Sequence, residues 1–353
     1  MARGLSRHWA PRRETTVLLV LLVALLAYTG YWFDVAHRVR GDIAQWADER
    51  RVEGYEVAYG EPKTSGFPFR LAVELARPSI GRTTPDAAWA WRGDRLSIMV
   101  RPWRLRRAWA DLPTRQSLVL ERDGRSWHFD AWMQSAVVAI VLNEAGGADV
   151  AGEVSRLSLR SPVAGLPFRV AVLRLSGRQR NDGQGQNMRI TLELENLTLP
   201  AGLETPLGDA VKLFAVDATL RGEVPDGPLA DALAAWRDSG GTVEVQRLKT
   251  RWGPLGLEVD GTLALDEAMR PLASMTAAIE GYGETLDALV KAGALARQQG
   301  ALAKTALDLL AKPQVPGGPP VLTVPVTAQD GDLYVGPVRL LELSAVLPPK
   351  PAD

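Results

Sequence analysis

Over most of the chain, apolar residues alternate with polar ones. Phe69, Leu71, Val73 and Leu75 alternate with Arg70, Ala72 and Glu74, and Leu96, Ile98 and Val100 alternate with Ser97 and Met99. Leu255, Leu257, Val259, Leu263 and Leu265 hold odd positions, while Glu258, Asp260 and Thr262 hold even ones. A period of two places each set on its own face of a strand, and a wet face backing an apolar one is typical of antiparallel pairing. Asp123-Gly124, between two such runs, predicts a two-residue hairpin. In RITLELENLTLP the apolar parity slips between Leu194 and Leu197, which predicts a bulge near Glu195-Asn196.

The period lengthens in a few places. From Thr15 to Phe33 the chain carries no charge, and about nineteen helical residues span roughly 28 Å, close to a bilayer's hydrocarbon thickness. Arg3, Arg7, Arg12 and Arg13 precede this segment, which predicts a cytoplasmic tail over 1–14 and an anchor over 15–33. Val17 to Ala27 also has the length of a signal-peptide core, but the following AYTGYWFD lacks a small-x-small cleavage site, so an uncleaved anchor is expected. Val35, Val39, Ile43, Trp46 and Ala47 recur at helical spacing and predict a juxtamembrane helix over 34–51, ended by Gly54 and packed on the domain behind it. Further helices are expected over 228–238, with Pro228 at its start and Gly240-Gly241 after it, and over 284–311 as a pair hinged near Gly300. KPQVPGGPP then reads as a linker into terminal strands.

One phrase occurs twice, as GFPFRLAV from Gly66 and GLPFRVAV from Gly165. Proline lacks an amide hydrogen and suits the first residue of a strand, and glycine before it permits a sharp approach. The phrase therefore reads as a device that starts a strand, with Phe69 and Phe168 opening an apolar face. Its recurrence suggests related β units over 52–150 and 151–353. The expected fold class is α+β and β-rich: antiparallel curved sheets in two related units, with a few covering helices, behind one N-terminal transmembrane helix.

Composition narrows the chemistry. The chain has no cysteine, and of its three histidines only His128 lies well inside the region after the anchor, which removes thiolate and multi-histidine sites. Basic and acidic residues balance at 41 each, so no global field attracts nucleic acid. No nucleophile elbow, zinc-binding helix motif or phosphate loop occurs. NDGQGQN near residue 181 reads as a hairpin tip, and Asp330-Gly331-Asp332 as a turn. Scattered carboxylates such as Asp217, Glu258 and Asp260 have no defined separation; they are the only basis for a hydrolase of envelope polymers. No catalytic residue, metal or cofactor is expected. WAWRGDRLSIMVRPWRLRRAW, from Trp89 to Trp109, interleaves tryptophan and arginine, a composition suited to anionic lipid headgroups or an envelope polymer. The same stretch also reads as a strand pair whose arginines line its wet face.

The anchor, EVAYGEPKTSGFPFRLAVEL, WGPLGLEVDGTLALDEAMRP and DGDLYVGP, in this order, resemble the bacterial family called domain of unknown function 2125. That resemblance implies a single-pass protein of the bacterial inner membrane with a periplasmic C-terminal domain. It transfers no catalytic residue. VDGTLALD followed by paired helices is similar to segments of AsmA-like envelope proteins, which implies outer-membrane assembly or phospholipid movement. The expected function is non-enzymatic. In one reading an apolar sheet face holds lipid through Phe69, Leu71, Val73, Phe168, Val170, Val172, Leu257, Val259 and Leu263, with Trp103, Arg104, Arg106 and Arg107 at the headgroups. In the other the faces close on each other, and the domain is an envelope scaffold that binds other envelope proteins. Partners are then the membrane, phospholipid or envelope proteins, and not nucleic acid.

Overall fold

The computed structural model describes residues 13–346 except 86, 123, 144–146, 161–166, 182–185, 201–202, 204, 226, 228, 314–319 and 337. Asp123, Gly165, Leu166, Pro228 and the centre of the 312–320 linker therefore lie outside the described residues.

The apolar segment and the amphipathic one after it form a single helix, α1 (Arg13–Val52). No proline or glycine pair separates them, so the backbone ladder continues through Asp34, and Gly54 at φ 86° follows its end. Over its second half α1 buries Trp32, Val35, Ala36 and Ala47, with Val39 and Ile43 beside them, which is the expected packing stripe. Trp46, read as part of that stripe, is half exposed.

Strands follow. The early passes are each split in two: β1 (Tyr55–Ala58) and β2 (Lys63–Ser65), β3 (Leu71–Ala76) and β4 (Ser79–Thr83), β5 (Ala87–Gly93) and β6 (Arg95–Arg101), β7 (Arg104–Asp111) and β8 (Arg115–Arg122), β9 (Arg125–Trp132) and β10 (Ser135–Leu142). Later passes are continuous: β11 (Ala148–Arg160), β12 (Pro167–Asn181), β13 (Gln186–Thr198), β14 (Ala210–Arg221), β15 (Thr242–Trp252), β16 (Leu255–Leu265) and β17 (Pro271–Glu280). β18 (Lys312–Pro313), β19 (Pro320–Gln329), β20 (Asp332–Val335) and β21 (Val338–Glu342) close the order. All belong to one antiparallel sheet. Once the split passes are joined, successive passes pair with each other, so the topology is an up-and-down meander. Residue 150 falls within β11, and the ladder runs through it from β10 to β12 without a break.

A seam of irregular backbone crosses these passes. The split strands are interrupted at Arg77-Pro78, Asp94, Leu112-Thr114 and Met133-Gln134, and amide bonds still cross the gaps, among them Arg77 N to Asp94 O at 2.9 Å and Met133 N to Thr114 O at 2.9 Å. In the continuous strands the seam passes Arg156 and Asn196, both at positive φ, and a register shift between Val211 and Leu213. Asn196 at φ 51° is the irregularity expected from the slipped leucines. The same step of three recurs in the neighbours: Val154 and Leu157, Leu173 and Val170, Leu194 and Leu197, Phe214 and Val211 stand in register across β11 to β14.

Three further helices join strands: α2 (Leu229–Asp238), α3 (Tyr282–Lys291) and α4 (Arg297–Leu310). The break between the last two falls at 292–296 rather than at Gly300, because Gly293 adopts φ 75° after the α3 end. Gly300 lies inside α4, where a Cβ would stand 2.6 Å from Val290 Cγ2; it permits close helix crossing.

The two copies of the repeated phrase take different forms. Pro167 and Phe168 open β12, as read. In the first copy Phe67, Pro68 and Phe69 form a turn after Gly66 at φ 97°, and β3 begins only at Leu71.

Candidate functional site

Cross-strand partners in an antiparallel sheet share a face, so the register traces each face across the molecule. Starting from Leu71, Val73 and Leu75 on β3, partners are Val100, Ile98 and Leu96 on β6, then Ala108 and Ala110 on β7, then Val138 and Ile140 on β10. The line continues through Val150 and Gly152, Leu175 and Gly177, Leu192 and Ile190, and Val216 and Ala218. It proceeds through Leu248 and Val245, Val259 and Gly261, Ala277 and Met275, and Val324 and Val326. A register shift in β15 sets Val245 and Leu248, three residues apart, opposite Gly261 and Val259, and so keeps both on this face. From β3 to β19 the face carries no charged residue among these positions.

Its cover is uneven. Leu71 and Val73 are 1% and 0% exposed beneath Trp32, Val35 and Ala36 of α1. Over β10 to β13 the face opens, with Leu142, Val150, Leu175 and Met188 exposed, Leu175 to 52%; farther along, Val259 of β16 and Ala277 of β17 are buried again. These four lie toward one end of β10 to β13. In register that end adjoins Arg107 of β7, next to the β6–β7 turn at Pro102-Trp103.

The opposite face is ionic. Arg174 donates to Glu153, Glu193 and Glu195 at 3.1, 2.9 and 2.5 Å. Arg189 grips Asp217 through two bonds of 2.8 and 2.6 Å, and Arg221 grips Glu244 at 2.5 and 2.8 Å. Lys249 and Arg247 reach Glu258 at 3.2 and 3.4 Å, and Arg251 reaches Glu280 at 3.5 Å. Hydrogen bonds from these guanidinium groups hold the Glu195, Asp217 and Glu244 carboxyls below their usual range. A depression of about 300 Å³ on this side is lined by Lys249, Arg251, Glu258 and Glu280. Of the three carboxylates singled out in the sequence, Asp217 and Glu258 stand in the ion-pair ladder and Asp260 lines the depression.

The helix holds the sheet at one level through bonds to turn carbonyls. Tyr28 donates its hydroxyl to Pro68 O, Tyr31 to Pro102 O at 2.7 Å, and Trp32 Nε1 to Arg70 O at 3.2 Å. Phe67 packs edge-on against Trp32, with ring centroids 5.5 Å apart.

The candidate residues therefore separate into distinct environments. Leu257, Val259 and Leu263 lie on the apolar face, and Leu71 and Val73 lie on it under the helix. Phe69 is in the turn and 75% exposed. Val170 is buried beyond the seam and Phe168 half-buried, whereas Val172 stands opposite Glu195, on the side of Arg174. Trp103, Arg104, Arg106 and Arg107 are exposed at or just after the β6–β7 turn. Sequence reasoning passed over Phe67, exposed on the first of these turns, and Leu105, exposed at the start of β7; the signal available for Phe67 was an aromatic flanking the turn proline.

Fold and site define a class: a β meander tethered to a long apolar helix, with one continuous apolar face and one ionic face. The chain belongs to the family described as uncharacterized protein conserved in bacteria (DUF2125), which matches residues 32–344. No curated protein and no solved structure matches it.

Proposed function

We propose that this is a single-pass membrane protein that binds lipid without catalysis, its acyl chain lying along the apolar sheet face. The observation that carries the reading is the uninterrupted apolar line from β3 to β19, left open at Leu142, Val150, Leu175 and Met188. Each acyl methylene exposed to water costs about 0.8 kcal/mol, so a sixteen-carbon chain gains roughly 12 kcal/mol from an apolar surface. Such a surface lowers the barrier to moving lipid with no reacting group. The anchor reading draws on α1, whose N-terminal part is long and apolar enough to cross a membrane. Residues at the end of that segment and just past it, Tyr28 to Ala36, are bonded to and packed on the sheet, which favours a retained helix over a cleaved one. The arginines before the helix support an orientation with the sheet on the periplasmic side of a bacterial inner membrane.

The test is photo-crosslinking of the full chain in membranes with a phospholipid carrying a carbene precursor on its acyl chain. Adducts should map to alternate residues of β12 to β16, among them Leu175, Leu192 and Leu257, and should drop in Leu192→Lys. Adducts confined to α1, together with no co-purifying lipid, would sink the reading.

A further inference from the structure

We infer that the turns at Phe67–Phe69 and Pro102–Leu105 are immersed in the bilayer interface beside the helix, as a second membrane attachment. The inference shares with the proposed function only the premise that α1 crosses a bilayer; it does not depend on lipid binding by the sheet.

Depth along the helix supplies the first argument. The uncharged stretch ends at Phe33, and Asp34 is the next charged residue. Tyr31 and Tyr28 precede Asp34 by three and six residues, which at 1.5 Å per residue places them roughly 5 and 9 Å toward the membrane centre. Their hydroxyls are bonded to Pro102 O and Pro68 O. Whatever depth the tyrosines take, the two turns must share it.

The turns are built for such a place. Each has proline at its tip, so an amide donor that would need a partner in a dry environment is missing. The carbonyl of each proline is taken by a tyrosine hydroxyl, and the Arg70 carbonyl by Trp32. Around the satisfied backbone stand exposed apolar groups: Phe67, Phe69, Trp103 and Leu105. In water these are four large apolar side chains left uncovered; at an interface they match the preference of aromatic rings for the headgroup level. Charge agrees. From Arg101 to Ala110 the chain has four arginines and no acidic residue, which suits an anionic leaflet. The occupant is therefore the bilayer that holds the helix.

The cysteine-free chain permits a direct test. Single variants Phe69→Cys, Trp103→Cys and Leu105→Cys are labelled with an environment-sensitive fluorophore, with Val20→Cys as a control within the apolar segment and Ser126→Cys as a control on a hairpin of β8 and β9. The full chain is placed in nanodiscs of phosphatidylglycerol and phosphatidylcholine with or without brominated acyl chains. Labels at 20, 69, 103 and 105 should shift to the blue and lose most of their emission to bromine, and the label at 126 should do neither. Quenching at 20 with none at 69, 103 and 105 overturns the immersed turns and leaves the anchor standing. No quenching at 20 overturns both. Phe69 and Trp103 are exposed, so their replacement leaves the packed core intact.

Discussion

Leucine-to-alanine changes at two positions on the same apolar face distinguish a closed core from an open contact surface. Leu71 is 1% exposed, packed within the cluster of Trp32, Val35 and Val100. Leu175 is 52% exposed, and one of its cross-strand partners is Gly152, which offers no side chain. Removing about three methylene equivalents costs roughly 2.4 kcal/mol where burial is complete. The cavity left at Leu71 raises this into the range of about 3–5 kcal/mol. At Leu175 half of the transfer term remains and no closed cavity forms, so the expected cost is about 1 kcal/mol. The assay is hydrogen–deuterium exchange of the full chain in detergent, reading amide opening in β3 and in β12. Leu71→Ala should speed exchange through β3 and β6 by more than a hundredfold, and Leu175→Ala should change β12 by less than about tenfold, since 1.4 kcal/mol is a factor of ten. Equal losses at both positions would mean that the face is filled along its whole length, and the envelope-scaffold reading would then replace lipid binding.

Three other outcomes are expected. Gly261 sits at φ 146°, and a Cβ there would meet Ser274 O at 2.3 Å, so Gly261→Ala should cost about 1–3 kcal/mol and loosen the β16–β17 ladder in the same exchange measurement. Tyr31→Phe removes the donor to Pro102 O and leaves that carbonyl without this partner; the β6–β7 turn should lose about 1–3 kcal/mol of local stability, read as faster proteolysis or exchange at 101–104, with no change in β16. Glu195, Asp217 and Glu244 have folded pKa values below their unfolded ones, so the unfolded chain binds more protons on acidification. Their contribution is present above about pH 4.5 and lost as pH falls through the lowered folded values, so β13 to β15 should melt earlier in a thermal scan at pH 3 than at pH 7. A scan flat across that interval would refute the ladder's role.

Local patterns were readable in the sequence because each rests on neighbouring residues. Alternation announced the strands, and the uncharged run and the stripe Val35–Val39–Ile43–Ala47 announced the helix and its packed side. The slip at Leu194 and Leu197 was visible because leucines flank it on both sides, whereas the equivalent step between Val211 and Phe214 is hidden by Lys212, Leu213 and Ala215. Phe69 was misplaced on a strand because alternation alone extends through Arg70; the turn absorbs Pro68 and Phe69, and pairing of β3 with β2 begins at Ala72. Two related units were suggested by a phrase whose copies share letters but not setting. What local pattern cannot carry is the meeting of distant groups. Tyr28 reaches a carbonyl 40 residues away and Tyr31 one 71 residues away, and it is contacts of this kind that show which turns lie beside the helix.

The ionic face explains how an apolar face can stay open. An exposed ion pair adds at most about 1 kcal/mol, so the ladder from Arg174 to Arg251 is a weak source of stability. Its placement is more telling, because it links β11 through β16 strand by strand and reaches from Arg251 of β15 past β16 to Glu280 of β17. A one-residue slip would invert the faces of a strand, burying its charges and exposing its leucines. Bidentate pairs such as Arg189–Asp217 and Arg221–Glu244 penalise that slip from outside. In an ordinary sandwich the register is set by the core between the sheets. Here the ladder fixes it from the solvent side, so the inner face has no need of a second sheet to choose its register, which is a condition that the proposed lipid surface requires.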